Sequence, residues 1–437
     1  MMIPRFDSSK SRYCTFVLGM LMGTILSSAA SLAIESPSRL DAADSPQEES
    51  LVPSKNPRSI RVATMNVSLY GTRAGELAER LEGGKDVQAR QTASIIQTVQ
   101  PDILLLNEID YSPDHRALRI FIDQYLGIPQ RSPDGKELVA IGWEHFYAGA
   151  VNTGVDSGLD LNRDGQLHTA DDAWGFGRYS GQYAMALLSR YPIDQEQIRT
   201  FQKLRWQAMP GALVPIDPKT KASYYPEEVW EKLRLSSKSH WDVPVRIGDQ
   251  TLHLLASHPT PPAFDGPERR NRCRNHDEIQ FWSHYIEGNP ASVDWIVDDA
   301  GNRGPLSSEA SFVILGDLNS DPEDGGGIAT AIQGLLRLQR VRDPRPSSRG
   351  GVAAATSIGQ ANAAHRGDPA LDTSQFSPKS VGNLRVDYTL PSSDIEVLSS
   401  GVFWPLPHQS EARWVEASDH RLVWVDCRIE GADAAAD

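Results

Sequence analysis

Cysteine is scarce: three residues in 437, at Cys14, Cys273 and Cys427. Neither Cys273 nor Cys427 stands in a spacing that would hold a metal ion, which excludes a cysteine-built metal site. Positive charge is also short. Lys and Arg number 43 against 57 Asp and Glu, a formal net charge of −14. That balance excludes a protein that holds nucleic acid on a broad basic face, and no interleaved basic–aromatic stretch is present. A compact site that meets phosphate through metal ions stays open. There is no internal repeat, so the chain is not an array of small units.

What is present begins at the N-terminus. Arg5, Lys10 and Arg12 precede an uncharged run from Tyr13 to Ile34, richest in apolar residues between Phe16 and Leu26. Small residues follow, the pattern of a secretory signal with cleavage expected after Ala33. Residues 1–33 are therefore read as a signal peptide and the mature protein as secreted, periplasmic or on the cell surface. The run is just long enough to span a bilayer, so an uncleaved anchor is the alternative and the one route to membrane contact. Residues 34–57, rich in Ser, Pro and acid, read as a linker, and 431–437 as a frayed tail. The span 58–430 reads as one folded catalytic domain. Its composition, 40% hydrophobic and 23% charged over the chain, is that of a soluble globular protein. In an exported chain Cys273 and Cys427 could pair.

A strand is expected over Ile60–Met65 and a helix over Asp86–Gln100, where Ala89, Ala93, Ile96 and Val99 share a face before Pro101. Further strands are expected at DILLLNE, YAMALLS, TLHLLASH, FVILGDLN, RVDYTL and HRLVWVDC. Continuous apolar strands separated by helical segments predict an α/β protein whose sheets are covered.

All but one of these strands end in or beside a polar residue of catalytic type. They are Asn66, Glu108, His258, Asp317 with Asn319, Asp387, and Asp419 with His420. Singly, each reads as a turn or salt-bridge residue. Asp317 and Asn319 are two apart, so an extended chain sends both side chains to one face. Asp419 and His420 would face apart in a strand, and a loop or bulge would let both reach one cavity. Hard oxygen ligands from Glu108, Asp419, Asn66 and Asp317 suit Mg²⁺ or Mn²⁺. A divalent ion, two imidazoles and a spare carboxylate are what phosphoester hydrolysis requires.

The ordered motifs TMN, NEID, ASHPTPP, GDLNSDP, RVDY and SDHR resemble the endonuclease/exonuclease/phosphatase superfamily, from about Ile60 to Cys427. The resemblance implies a DNase I-like four-layer α/β sandwich, two packed mixed β-sheets flanked by helices, with the site at one end. It implies that Asn66 and Glu108 hold the metal with Asp419 nearby. Asp317 would orient or deprotonate the attacking water, and Asn319 would fix geometry at the phosphate. Asp387 would orient His420 against a phosphate oxygen, and His258 would be a general acid. Many members carry Asp two residues after the first Asn. Ser68 stands there in this chain, a departure from the pattern of a second metal site. Tyr179 and Tyr183 lie in the stretch where some abasic-site enzymes place a phosphate-contacting tyrosine.

Two further stretches stand out. Asp160–Asp171, DLNRDGQLHTAD, resembles a dockerin or EF-hand loop. Asp160, Asn162, Asp164, Gln166 and Asp171 would ligate Ca²⁺, Gly165 would make the sharp turn and Leu167 an apolar contact. It is read as an insertion near 156–172. Lys238, His240, Arg270 and Arg274 flank the His258 strand and are candidates for contact with substrate phosphates. The expected protein is an exported Mg²⁺- or Mn²⁺-dependent phosphoesterase acting on nucleic acid, lipid or a small phosphate, with no stable protein partner implied. Alternatives are a nuclease on extracellular DNA or RNA, and an inactive calcium-stabilised binding protein.

Overall fold

Alternating sides of one strand meet two different partners in this protein, which is why its strands read as unbroken apolar runs. The computed structural model describes residues 51–288 and 294–429. The expected signal peptide, most of the expected linker and the expected tail lie outside the described residues.

The strands, in chain order, are β1 (Ile60–Leu69), β2 (Ile103–Ile109), β3 (His145–Tyr147), β4 (Met185–Ser189) and β5 (Arg199–Thr200). They continue with β6 (His240–Ile247), β7 (Gln250–Ser257), β8 (Ser311–Asp317), β9 (Ser374–Gln375) and β10 (Asn383–Leu384). The last are β11 (Asp387–Pro391), β12 (Glu396–Val402) and β13 (Val423–Arg428). The helices are α1 (Glu76–Leu81), α2 (Val87–Val99), α3 (Arg116–Phe121), α4 (Glu227–Trp230), α5 (Arg270–Glu287), α6 (Thr330–Leu336) and α7 (Arg349–Ile358).

One sheet has six strands in the order β12-β13-β1-β2-β4-β3, the other five in the order β11-β8-β7-β6-β5. Both are mixed: β1–β2 and β7–β8 run parallel, while β1–β13 and β8–β11 run antiparallel. Val62, Leu105 and Leu187 of the first sheet share one buried cluster with Val243, Leu254 and Val313 of the second. The opposite faces pack outward. Ala63, Met65, Leu104 and Leu106 meet Ala93 and Ile96 of α2, and Leu255, Phe312 and Ile314 meet Phe281 and Trp282 of α5. The result is the expected four-layer α/β sandwich. Each fully buried Val, Leu or Ile contributes about 1.5–3 kcal/mol.

The sequence-predicted helix lies where expected, because Asp86 caps it by accepting the Ala89 N–H and Gln100 ends it in the left-handed region. The expected strands do not include β6, whose first residues lie in the stretch read for Lys238 and His240, and α5 carries its apolar residues mostly in its second half. The cysteine pairing does not occur. Cys427 is buried between the sheets, Cys273 sits on α5 against the outer cluster, and both are free.

Gly316 controls how closely β7 and β8 approach. Its φ is +145°, and a Cβ there would sit 2.0 Å from the Ser257 carbonyl oxygen. Gly316→Ala is therefore expected to destabilise the protein on the order of 3 kcal/mol, read by denaturant unfolding. A loss within the ordinary surface range of about 0.5 kcal/mol would contradict that reading.

Candidate active site

Four non-glycine residues with left-handed backbones lie where the sheets end: Ser68 (φ 48°), Glu108 (φ 59°), Tyr183 (φ 57°) and Asn319 (φ 53°). Such strain persists only where surroundings over-determine it, and it concentrates at functional sites. Three of the four follow or belong to the polar strand ends picked out above.

Asp317, 1% exposed, is the centre. Its carboxylate accepts N–H bonds from Asn66 Nδ2 at 3.1 Å, Asn319 Nδ2 at 3.3 Å and the Asn319 backbone at 2.9 Å. His258 Nε2 lies 3.4 Å and His420 Nε2 3.7 Å from the same Oδ2. Burial alone would raise the Asp317 carboxyl. The charge of His420 and the hydrogen bonding and charge of His258 overcome it and hold the group well below the carboxylate range.

His420 is buried ahead of β13 in a loop, so the adjacent Asp419 and His420 do diverge: His420 turns inward and Asp419 stays exposed. Its Nδ1 donates to Asp387 Oδ2 at 2.9 Å, and Thr373 Oγ1 donates to the same oxygen at 2.8 Å. Burial pulls the imidazole down, but Asp387 and Asp317 raise it to about 10. Ligand atoms of Asp317, Asp387 and His420 lie within 4.8 Å of one another. With one ring nitrogen bound to Asp387 and the imidazole raised, this grouping stands as a hydrogen-bonded carboxylate–imidazole–carboxylate chain.

Glu108 and Asp419 are different. Glu108 keeps a 23% exposed side chain with Oε1 4.0 Å from His258 Nε2, and neither carboxylate forms a hydrogen bond among the described residues. Burial first, then the charges of Glu108, Tyr183 and Asp419, raise the Tyr70 hydroxyl. Tyr70 packs edge-on to Tyr183 at 4.6 Å.

Asn319 reaches Asp317 by a different geometry from the one expected. β8 stops at Asp317, and Asn319 folds back through its left-handed turn instead of alternating along a strand. Lys238 does reach the site. It is 6% exposed, and burial lowers its ammonium against the opposing charges of Glu278, Glu108 and Asp317. His258 is lowered by burial first and by Lys238 second, against Asp317 and Glu108. Apart from the 3.4 Å approach of Nε2 to Asp317, neither ring nitrogen has a hydrogen-bond partner.

Three expected phosphate contacts are not brought in. His240 spends its Nδ1 on Ser236 Oγ and its Nε2 on the Glu278 carbonyl, and packs on Phe281 and Trp282. Arg274 donates to the carbonyls of Trp174, Arg234, Leu235 and Ser236, so it clamps a loop onto α5. Arg270 pairs with Glu268 and lies over the Tyr224 ring. Each was singled out by residue type; the ring nitrogens of His240 and the donors of Arg274 are consumed locally, and Arg270 is held by its pairing with Glu268.

Other residues went unread. Asn107 Oδ1 accepts the Asp317 N–H across the two sheets at 3.2 Å. Glu278 on α5 accepts the N–H groups of Ser237 and Thr260, fixing the loops that carry Lys238 and His258. Thr373 holds Asp387. Only Asn107, beside Glu108 in NEID, carried a sequence signal. Tyr179 directs its single hydroxyl proton at Asp110 Oδ2, 2.6 Å away, and the hydroxyl oxygen also lies 3.0 Å from the Gly71 carbonyl.

The 160–171 loop lies between β3 and β4, closed by bridges Asp156–Ala173 and Thr153–Gly175. Asp160 accepts the N–H groups of Asp164 and Gly165, Asn162 that of Asp164, and Asp164 that of Gln166. Gly165 makes the turn at φ 81°. Leu167 does not make the expected apolar contact, being 51% exposed. Asp171 is exposed, whereas Asp172 is buried on Thr169 and Leu161.

Against known proteins, the sequence pattern of the "Endonuclease/Exonuclease/phosphatase family" matches residues 66–420, well over half of the chain. No curated protein matches. Similar solved structures include an endonuclease/exonuclease/phosphatase from Beutenbergia cavernae DSM 12333, at 18% identity, covering 87% of this chain and 74% of that one, TM-score 0.44. TDP2 from Caenorhabditis elegans is 14% identical, covering 85% and 74%, TM-score 0.39. A mannosyl-6-phosphatase from Bacteroides thetaiotaomicron VPI-5482 is 12% identical, covering 85% and 100%, TM-score 0.41. None of these likenesses bears on activity.

The His420 chain sets a pH dependence. Its folded value is raised, so its stabilisation is complete below the ordinary histidine value of about 6.5 and is lost as pH rises toward about 10. The Tm of the wild type is expected to fall more steeply over that window than that of His420→Gln. Parallel curves would contradict the raised value.

Proposed function

The chain belongs to the endonuclease/exonuclease/phosphatase family, and from that premise we propose an exported, divalent-metal-dependent phosphoesterase that hydrolyses its substrate by attack of water. One observation carries the reading. A buried Asp317 carboxylate stands between two imidazoles, beside two carboxylates left free of hydrogen bonds.

Glu108, Asp419 and the amide oxygen of Asn66 are the donors proposed for a Mg²⁺ or Mn²⁺ ion. They are all hard oxygens, and the Glu108 and Asp419 carboxylates are uncommitted, which fits such an ion. When bound, the ion neutralises phosphate charge and polarises the phosphorus centre. Asp317, held ionised and weakly basic, orients the attacking water by accepting its proton in a hydrogen bond. Asn66 and Asn319 keep that carboxylate aimed. His420, charged and braced by Asp387, donates Nε2–H to a phosphate oxygen as negative charge grows there. His258 is better suited to donating a hydrogen bond as a neutral ring than to acting as the general acid, since burial and Lys238 both oppose its proton. Lys238, buried with its ammonium lowered, supplies a hydrogen-bond donor toward the phosphate. The N-terminal pattern of charge, apolar run and small residues supports export.

The 160–171 loop is proposed to bind Ca²⁺, on the strength of an all-oxygen donor set at Asp160, Asn162 and Asp164 around a left-handed glycine. Ca²⁺ is expected to raise the wild-type Tm, and Asp160→Ala to abolish that rise while Asp317→Asn keeps it. An equal rise in Asp160→Ala would refute the loop as the site.

For the reaction, EDTA is expected to abolish hydrolysis of a phosphoester panel spanning DNA, RNA, sphingomyelin, inositol phosphates and simple diesters. Mg²⁺ or Mn²⁺ should restore it. Asp317→Asn and His420→Gln should each lower kcat by roughly 10²–10⁴ with the fold retained by circular dichroism. Turnover unaffected by EDTA, or wild-type rates in either variant, would overturn the proposal.

A further inference from the structure

Near the catalytic end, and separate from the Asp317 group, is a cavity of about 390 Å³. Asp321, on the loop leaving β8, lines it, as do Arg385, two residues before β11, and Asp372, next to the Thr373 that holds Asp387. Asp372 is only 7% exposed, yet among the described residues its carboxylate has no hydrogen-bond or ion-pair partner. Asp321, Asp324, Asp368 and Asp343 around it are committed. Asp321 accepts the N–H groups of Glu323, Asp324 and Arg385, and Asp324 those of Arg366 and Gly367. Asp368 caps Ala370, and Asp343 pairs with Arg385.

A buried carboxyl without a partner is costly, and native proteins keep one where something else will meet it. Burial first, then the charges of Asp321, Asp324 and Asp368, push Asp372 up to about 8. It therefore holds its proton near neutrality until a cation arrives. The other charges lining the cavity are Glu323 and the exposed guanidinium groups of Arg337, Arg345 and Arg366. Those of Arg337 and Arg345 have no hydrogen-bond partner among the described residues.

A bare metal ion does not fit. Among the described residues, three carboxylate or imidazole ligands gather within 4.8 Å at Asp317, Asp387 and His420 and not here. The space also far exceeds the roughly 30 Å³ that one water occupies. The arginines would repel a simple cation and attract an anionic group. We propose that this cavity binds a small zwitterion, with its ammonium on Asp372 and its phosphate or carboxylate on Arg337, Arg345 and Arg366. The site stands independently of the hydrolytic reading, since none of these residues belongs to the Asp317 group.

Calorimetric titration of the mature chain with phosphoethanolamine tests this, with ethanolamine and inorganic phosphate as single-charge probes. Phosphoethanolamine is expected to bind at least about tenfold more tightly than either probe, and Asp372→Asn to weaken it by at least about tenfold. Binding should release a proton, seen as an enthalpy that changes with buffer ionisation, and Asp372→Asn should remove that dependence. His420→Gln should leave the affinity unchanged, which separates the cavity from the catalytic group. The asparagine mimics the protonated acid, so an unaltered Tm will show that the fold persists. Affinity equal in wild type and Asp372→Asn, a single-charge probe binding as tightly as phosphoethanolamine, or no binding at millimolar ligand would each overturn the proposal.

Discussion

The arrangement depends on one buried anion, the Asp317 carboxylate. Removing such a charge from water is strongly unfavourable unless partners surround it. Here they come from several segments: Asn66 from β1, His258 after β7, Asn319 from its own loop and His420 ahead of β13. Asn66 belongs to one sheet and Asp317 to the other, and Asn107 adds a second bond across the same gap. The anion therefore joins the sheets at one end, where it also gathers two imidazoles. Losing one partner would leave the others aimed at an uncompensated charge.

The backbone is strained to make this possible. Ser68, Glu108, Asn319 and Tyr183 adopt left-handed conformations, and Gly316 lets β8 come against the Ser257 carbonyl where no side chain would fit. These features convert strand ends, which would otherwise splay their side chains alternately, into a ring that points inward. The buried core between the sheets makes the frame stiff enough to hold that conformation.

Much of this was legible in the chain itself. Strands covered on both faces leave continuous apolar runs, and polar residues ending those runs are conspicuous, so Asn66, Glu108, His258, Asp317, Asp387 and His420 could be picked out. α2 was bounded by Asp86 and Pro101. Other features were illegible for physical reasons. Lys238 and His240 are two residues apart and both belong to the basic residue types. One reaches the catalytic group and the other packs under Phe281 and Trp282, and residue type does not distinguish them. Arg274 looked like a phosphate ligand until the carbonyls that consume its donors were in view. Thr373 and Glu278 act through distant partners, so nothing local marked them.

Two acidic groupings meet at this end and have opposite chemistry. Asp317, His420 and Asp387 are linked through His420, with only Asp387 Oδ1 left without a partner, whereas neither Glu108 nor Asp419 forms a hydrogen bond among the described residues. Glu108 and Asp419 are the pair proposed to hold the divalent ion. Crystals of the mature protein soaked with Mn²⁺ would decide this through the anomalous scattering of the ion. The expected peak lies about 2.1–2.3 Å from carboxylate oxygens of Glu108 and Asp419, with the His420–Asp387 hydrogen bond intact. A peak ligated by His420 between Asp317 and Asp387 would contradict it.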